Sequence, residues 1–184
     1  MTIDVRRWRF EALAFAGGLV FALDAPPANF IPALWISMAI LAIALAQPVE
    51  KKPRLTLALR GELFGLGANL LLFRFLPGVV THFTPLPFVV GLLALLFLAA
   101  AQALRWLATG VFYKLLVDRG VPRWAAFPIG VYAGTFVPMV FPWNPAAGAT
   151  PWPVMVQLAD VVGERGVTAL MALTAALFAE ALLT

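Results

Sequence analysis

Six apolar runs, separated by proline clusters, fill nearly the whole chain. They lie at about 10–23, 31–46, 55–73, 87–116, 124–141 and 167–183. Between them stand Pro26-Pro27, Pro48 to Pro53, Pro77 to Pro87 and Pro142 to Pro153. Proline has no amide proton and ends helices, so these clusters mark the turns. A soluble domain carries about 45–50% apolar and about 25% charged residues. Here 62% are hydrophobic and 12% charged, and the mean hydropathy is +0.93. One aqueous core could not hide that much apolar surface. The expected fold is therefore all-α, a polytopic transmembrane bundle of about six helices, with residues 1–184 forming one domain. At about 20 residues per span, no room is left for a second domain.

The fourth run is too long for one crossing. Thirty residues at 1.5 Å reach about 45 Å, against a hydrocarbon core of about 30 Å. Arg105 would lie about 27 Å from Pro87, near the inner headgroups, where a guanidinium reaches water. The expectation is a span over 87–104 that continues beyond the membrane, or along it, to about residue 116.

The net charge is +4, but the basic residues do not form a nucleic-acid face. They fall in three short clusters. Arg6, Arg7 and Arg9 precede the first run. Lys51, Lys52, Arg54 and Arg60 follow the second. Lys114, Arg119 and Arg123 follow the fourth. If the helices alternate, these ten share one side, and only Arg74 and Arg165 face the other. That bias places both termini in the cytoplasm. Segments 24–30, 74–86 and 142–166 then face outward. Trp124 would mark the inner interface, and Trp143 and Trp152 the outer one. The basic start followed by an apolar stretch imitates a signal peptide. The prolines just after it make a poor cleavage site, so an uncleaved first helix is expected.

Candidate sites are few. There is no cysteine, which excludes disulfides, thiolate metal sites and a thiol nucleophile. No metal or cofactor is expected. His82 is the single histidine, has no acidic or serine neighbour, and reads as a solvated outer-segment residue. The single serine, Ser37, lies inside the second run. Gly61 and Gly65, like Gly130 and Gly134, are four apart, which suits close helix packing or a ligand groove. Asn69 and Gln102 should hydrogen-bond between helices, because unpaired amides are costly in lipid. Glu62 should pair with Arg60 or a lipid amine. Glu11, Glu62 and Glu180 lie near helix ends, where solvation is easy.

The segment 142–166 is the densest feature, with two tryptophans and four prolines. Its 154–162 stretch suits a short helix lying in the interface. Either a lipid-facing platform or an ordered connection fits this composition.

Here the chain resembles the membrane domain of apolipoprotein N-acyltransferase. The resemblance rests on Phe141-Pro142-Trp143, Pro151 and Pro153, Gln157-Leu158-Ala159-Asp160, and the following Gly163 and Gly166. Phe21 to Pro27 with Pro32 to Trp35 resembles the family's first turn and second helix, and Gly61 to Gly67 its glycine-rich third helix. It implies a multi-pass protein of the bacterial inner membrane that contacts membrane phospholipid and a lipoprotein substrate, with Pro142, Trp143, Gln157 and Asp160 at the lipid entrance. Two features depart from the family. Residues 128–140 carry neither its tryptophan nor its charged pair. The family's nitrilase-like part, with a catalytic Cys and Glu and Lys partners, has no counterpart before Thr184. No catalytic residue is therefore expected here. The expectation is a fragment, a degenerate copy, or a split-gene product that works with a separate nitrilase-like chain. The alternative is a small six-helix transporter or lipid-handling protein, whose expected mark, a charge pair deep in the bundle, is not evident in the sequence.

Overall fold

A computed structural model of the protein describes residues 8–184. Every regular element among them is helical. The helices are α1 (Arg9–Phe21), α2 (Ala33–Ala46), α3 (Pro53–Leu72), α4 (Leu76–Phe83), α5 (Phe88–Val117), α6 (Arg123–Gly134), α7 (Pro145–Gly148) and α8 (Pro153–Leu183), with a 3-10 turn at Ala22–Asp24 after α1. The all-α bundle read from the apolar runs is the fold observed. Arg6 and Arg7, part of the expected N-terminal basic cluster, lie outside the described residues.

Six helices close into a ring. Going round, α1 packs on α2, α2 on α8, α8 on α6, α6 on α5, α5 on α3, and α3 back on α1. The ring is filled by apolar side chains. Phe21, Phe64 and Trp106 meet edge to face at 4.6–5.9 Å, and Leu34, Met38, Leu41, Leu45 and Phe127 are buried beside or below them. The outside is apolar too: Phe88, Leu93, Phe97, Phe178 and Leu182 are all exposed. An apolar exterior around a packed interior is the pattern of a helix bundle whose solvent is lipid. Three helices, α3, α5 and α8, are long and apolar enough to cross a membrane. The other three ring helices are shorter.

Several boundaries differ from the sequence reading, each for a physical reason. The fifth run, expected over 124–141, is helical only to Gly134. The amides of Val140 and Phe141 instead donate to the Gln102 side-chain Oε1 at 2.9 and 3.3 Å. The last helix, expected over 167–183, begins at Pro153 and bends at Gly163, where φ is +71°. That left-handed conformation is easy for glycine and strained for other residues, and it separates a 153–162 segment from the main span. The expected outer connection 74–86 contains helix α4, whose Pro77 backbone packs on Gly91. The 30-residue α5 is unbroken.

Close backbone approach defines the packing of α3. A Cβ on Gly61 would collide with the Trp106 carbonyl, and one on Gly65 would lie 2.6 Å from the Ala103 Cβ. From the other side, a Cβ on Gly18 of α1 would collide with the Phe64 carbonyl. Packing is therefore what the glycine spacing serves here. Gly61→Val should cost about 1–3 kcal/mol, read as a lowered unfolding temperature in detergent. Gly78→Ala, at a position with no neighbour within 4 Å, should change stability by no more than about 1 kcal/mol, in either direction. Equal responses from the two variants would contradict the packing account.

Candidate functional site

Where α6 stops short, the ring is completed by backbone that is irregular apart from the one-turn helix α7. Residues 135–152 turn inward and are fastened to α5 by side chains that replace helical hydrogen bonds. Gln102 accepts from the Val140 and Phe141 amides and donates to the Phe141 carbonyl at 3.0 Å. Arg105 donates to the Trp143 carbonyl and, at 2.8 Å, to Asn144 Oδ1. The Asn144 amide donates to Glu164 Oε1 at 3.1 Å, and the Ala146 amide to Thr168 Oγ1 at 3.2 Å. Each half of the segment is thus tied to a different long helix, α5 or α8. Backbone polar groups at membrane depth need such partners, because lipid supplies none.

Between this segment, the α1–α2 turn and helices α3 and α5 lies a cavity of about 490 Å³. Its polar lining includes Asp24, Asn29, Asn69, Gln102, Arg105, Asn144 and Thr150. Its apolar wall includes a stack of Phe73, Phe141 and Trp143, with ring centroids 5.3–6.0 Å apart. Asn69 is oriented by donating to the Ala99 carbonyl at 3.2 Å. Asp24, in the turn after α1, has one buried carboxylate oxygen without a hydrogen-bond partner. Burial pushes its carboxyl up to about 6, against hydrogen bonding from the backbone at Ala25 and Asp24. Gly148 makes room for it, since a Cβ there would strike the carboxylate. The cavity therefore presents a cation and a carboxyl group. Among the residues that line it there is no cysteine, serine or histidine.

The sequence-derived site residues divide. Trp143 lines the cavity and is half exposed; Pro142 stands beside it, exposed. Gln157 and Asp160 are exposed on the first segment of α8 and do not reach the cavity. Arg105 is the main correction: its guanidinium is not free to reach toward water as a snorkelling side chain but is held on the Trp143 carbonyl and the Asn144 side-chain oxygen. The signal for it was present, as an isolated charge within a long apolar helix. Asp24 had no sequence signal beyond its place before Pro26-Pro27. The charge pairing near the other end also differs from expectation. Arg60 pairs with Glu11 at 3.2 Å, both buried, and not with Glu62. His82 is exposed on α4, as its sequence context suggested.

Fold and cavity together define a helical membrane domain whose tryptophan-bearing 135–152 segment roofs a half-open chamber. The chain matches the family described as apolipoprotein N-acyltransferase N-terminal domain over residues 17–177, and it belongs to that family. Curated relatives named apolipoprotein N-acyltransferase occur in Geobacter metallireducens (29% identity, 93% of this chain, 35% of that protein) and Allorhizobium ampelinum (35% identity, 89% and 33%). One in Caulobacter vibrioides is 32% identical over 89% of this chain and 32% of its own length. The chain therefore spans about a third of these relatives.

Gln102→Leu should leave the Val140 and Phe141 amides without their acceptor, at about 1–3 kcal/mol. Hydrogen exchange across 140–144 should then accelerate about tenfold or more, while the buried part of α3 keeps its protection. Unchanged exchange at 140–144 would show that α5 does not hold this segment.

Proposed function

We propose that this domain is the membrane platform of an apolipoprotein N-acyltransferase system. It receives phospholipid from the outer leaflet and holds it beside the 141–152 segment for a catalytic part outside these 184 residues. The observation that carries this reading is the chamber itself. It combines an aromatic wall, a guanidinium and a carboxyl group, and its roof is pinned at two points of α5. A mostly apolar concavity with a few placed polar groups is the usual form of a small-ligand site. The chain has no cysteine, so a nitrilase-like part supplies the thiol. There the phospholipid ester yields its acyl group to the thiol, releasing lysophospholipid. The thioester then passes the acyl group to the N-terminal amine of a lipoprotein, regenerating the thiol. Trp143 and Pro142 border the lipid entrance, and Gln157 and Asp160 extend it along the outer interface on the first segment of α8. The localisation that fits is the bacterial inner membrane, with both termini cytoplasmic.

Two experiments test this reading. The purified chain, given labelled phospholipid, should form no hydroxylamine-sensitive acyl adduct. When a nitrilase-like part of a family member is supplied, acyl transfer to lipoprotein should appear and should fall with Arg105→Lys, because lysine lacks the planar fork that holds two acceptors at once. A thioester on this chain alone, or full transfer activity without it, would refute the platform role. For orientation, single cysteines at positions 50 and 120 should label only from the cytoplasmic side, and those at 80 and 150 only from the opposite side. Cytoplasmic labelling at 150 would reverse the topology.

A further inference from the structure

A second concavity, of about 380 Å³, lies on the outside of the ring between α6 and α8. It is separate from the chamber and shares no lining residue with it. Ile129 and Tyr132 form one bank; Gly166, Ala169, Leu170 and Leu173 form most of the other. Tyr132 is its one lining residue with a polar group. The small side chains of Gly166 and Ala169 leave its floor open, and the bend at Gly163 turns the preceding segment of α8 away from the main span.

At the end of the groove nearest the bend stands Arg165. Its guanidinium carbon lies 4.2 Å from the centroid of Phe136, which in turn meets Tyr132 edge to face at 5.3 Å. Arg165 is exposed, and among the described residues no carboxylate pairs with it. A cation stacked on an aromatic face keeps its N–H edges available to an anion. The helix rise from Gly166 to Leu173 gives an apolar track of about 10 Å running away from that cation. α6 is only 12 residues long, about 18 Å, well short of a hydrocarbon core of about 30 Å. Arg165 stands just past the bend at Gly163, at the start of the main span of α8.

We propose that the α6–α8 groove is a binding site for a structural, non-reacting phospholipid. One acyl chain lies along Ile129, Ala169, Leu170 and Leu173, and the phosphate is held by Arg165. The charge pattern selects this occupant. A groove that is apolar along its length and cationic at one end matches one chain of an amphiphile with an anionic head.

The test uses the whole chain in nanodiscs of phosphatidylglycerol and phosphatidylethanolamine. A photo-reactive benzoylphenylalanine replaces Leu170 in the groove or, as a baseline for ordinary surrounding lipid, Leu182, which is exposed at the far end of α8. The site predicts phospholipid adducts at position 170 well above those at 182. Arg165→Gln should reduce capture at 170 about tenfold, as expected from losing a charge-assisted hydrogen bond, without changing capture at 182. Ala169→Phe fills the groove while keeping the cation, and should lower capture at 170 as well. Size-exclusion behaviour and helix content establish that each variant is folded. Capture at 170 no greater than at 182, insensitivity to Arg165→Gln in a folded variant, or adducts to peptide in place of lipid would each overturn the site. None of these readouts depends on the chamber, so failure here leaves the platform role standing.

Discussion

Helix α3 touches its neighbours through backbone on two sides, and the ring depends on this. Gly61 and Gly65 meet α5, Gly110 of α5 meets the Leu57 carbonyl, and Gly67 meets the Phe15 carbonyl of α1. In lipid there is no hydrophobic gain from pressing two apolar helices together, because the tails are as apolar as leucine. Association comes from close van der Waals packing, which small residues permit. With α3 locked between α1 and α5, Phe21, Phe64 and Trp106 are forced into one cluster at the centre. The chamber sits directly above that cluster, with Phe21 and Trp106 forming part of its lining.

At the opposite end from the chamber, electrostatics fixes the same helices. Arg60 of α3 pairs with Glu11 of α1 at 3.2 Å and also donates to the Ala44 and Gln47 carbonyls at 2.7 and 3.2 Å. Those carbonyls belong to the C-terminal end of α2, where a positive charge is favoured by the helix dipole and by the unpaired acceptors. A buried ion pair gives little net stability by itself, because desolvation offsets the attraction. Its effect here is geometric: one guanidinium sets the relative height of three helices, α1, α2 and α3. Glycine contacts determine how near the helices come, and Arg60 determines their register.

The apolar runs made the helices legible, and the proline clusters located most of the turns, because both signals are local. What was not legible depends on partners distant in sequence. Helix α6 ends at Gly134 although apolar residues continue to Phe141: Pro138 has no amide to give the Gly134 carbonyl, and Gln102, nearly forty residues earlier, takes the Val140 and Phe141 amides beyond it. Arg105 read as a snorkelling side chain because its distance from Pro87 was measured along one helix, and the inward turn of 135–152 was not visible. Glu11 read as solvated because it stands near a helix start; only the fold shows Arg60 against it. Trp143, singled out by its motif, lines the cavity wall, whereas Asp24, which carried no such motif, reaches it where Gly148 leaves space beside its carboxylate.

The chamber and the short α6 have one origin. A full-length helix in that position would satisfy its own backbone and fill the end of the ring. Because α6 stops after 12 residues, the chain continues as backbone that is mostly irregular apart from the one-turn α7, and its unpaired amides and carbonyls need side-chain partners. Gln102 and Arg105 of α5, and Glu164 and Thr168 of α8, meet that need. Irregular backbone packs less densely than a helix, so space remains beneath it, lined by the same polar groups that support it. A lone arginine in an apolar helix would be costly. Here its charge is spread over a carbonyl and an amide oxygen, with the Glu164 carboxylate as its favourable charged neighbour. The guanidinium has five N–H donors, and the two used on the roof leave others for a ligand. The residue that secures the roof is therefore also the group best placed to meet an anionic ligand in the chamber below.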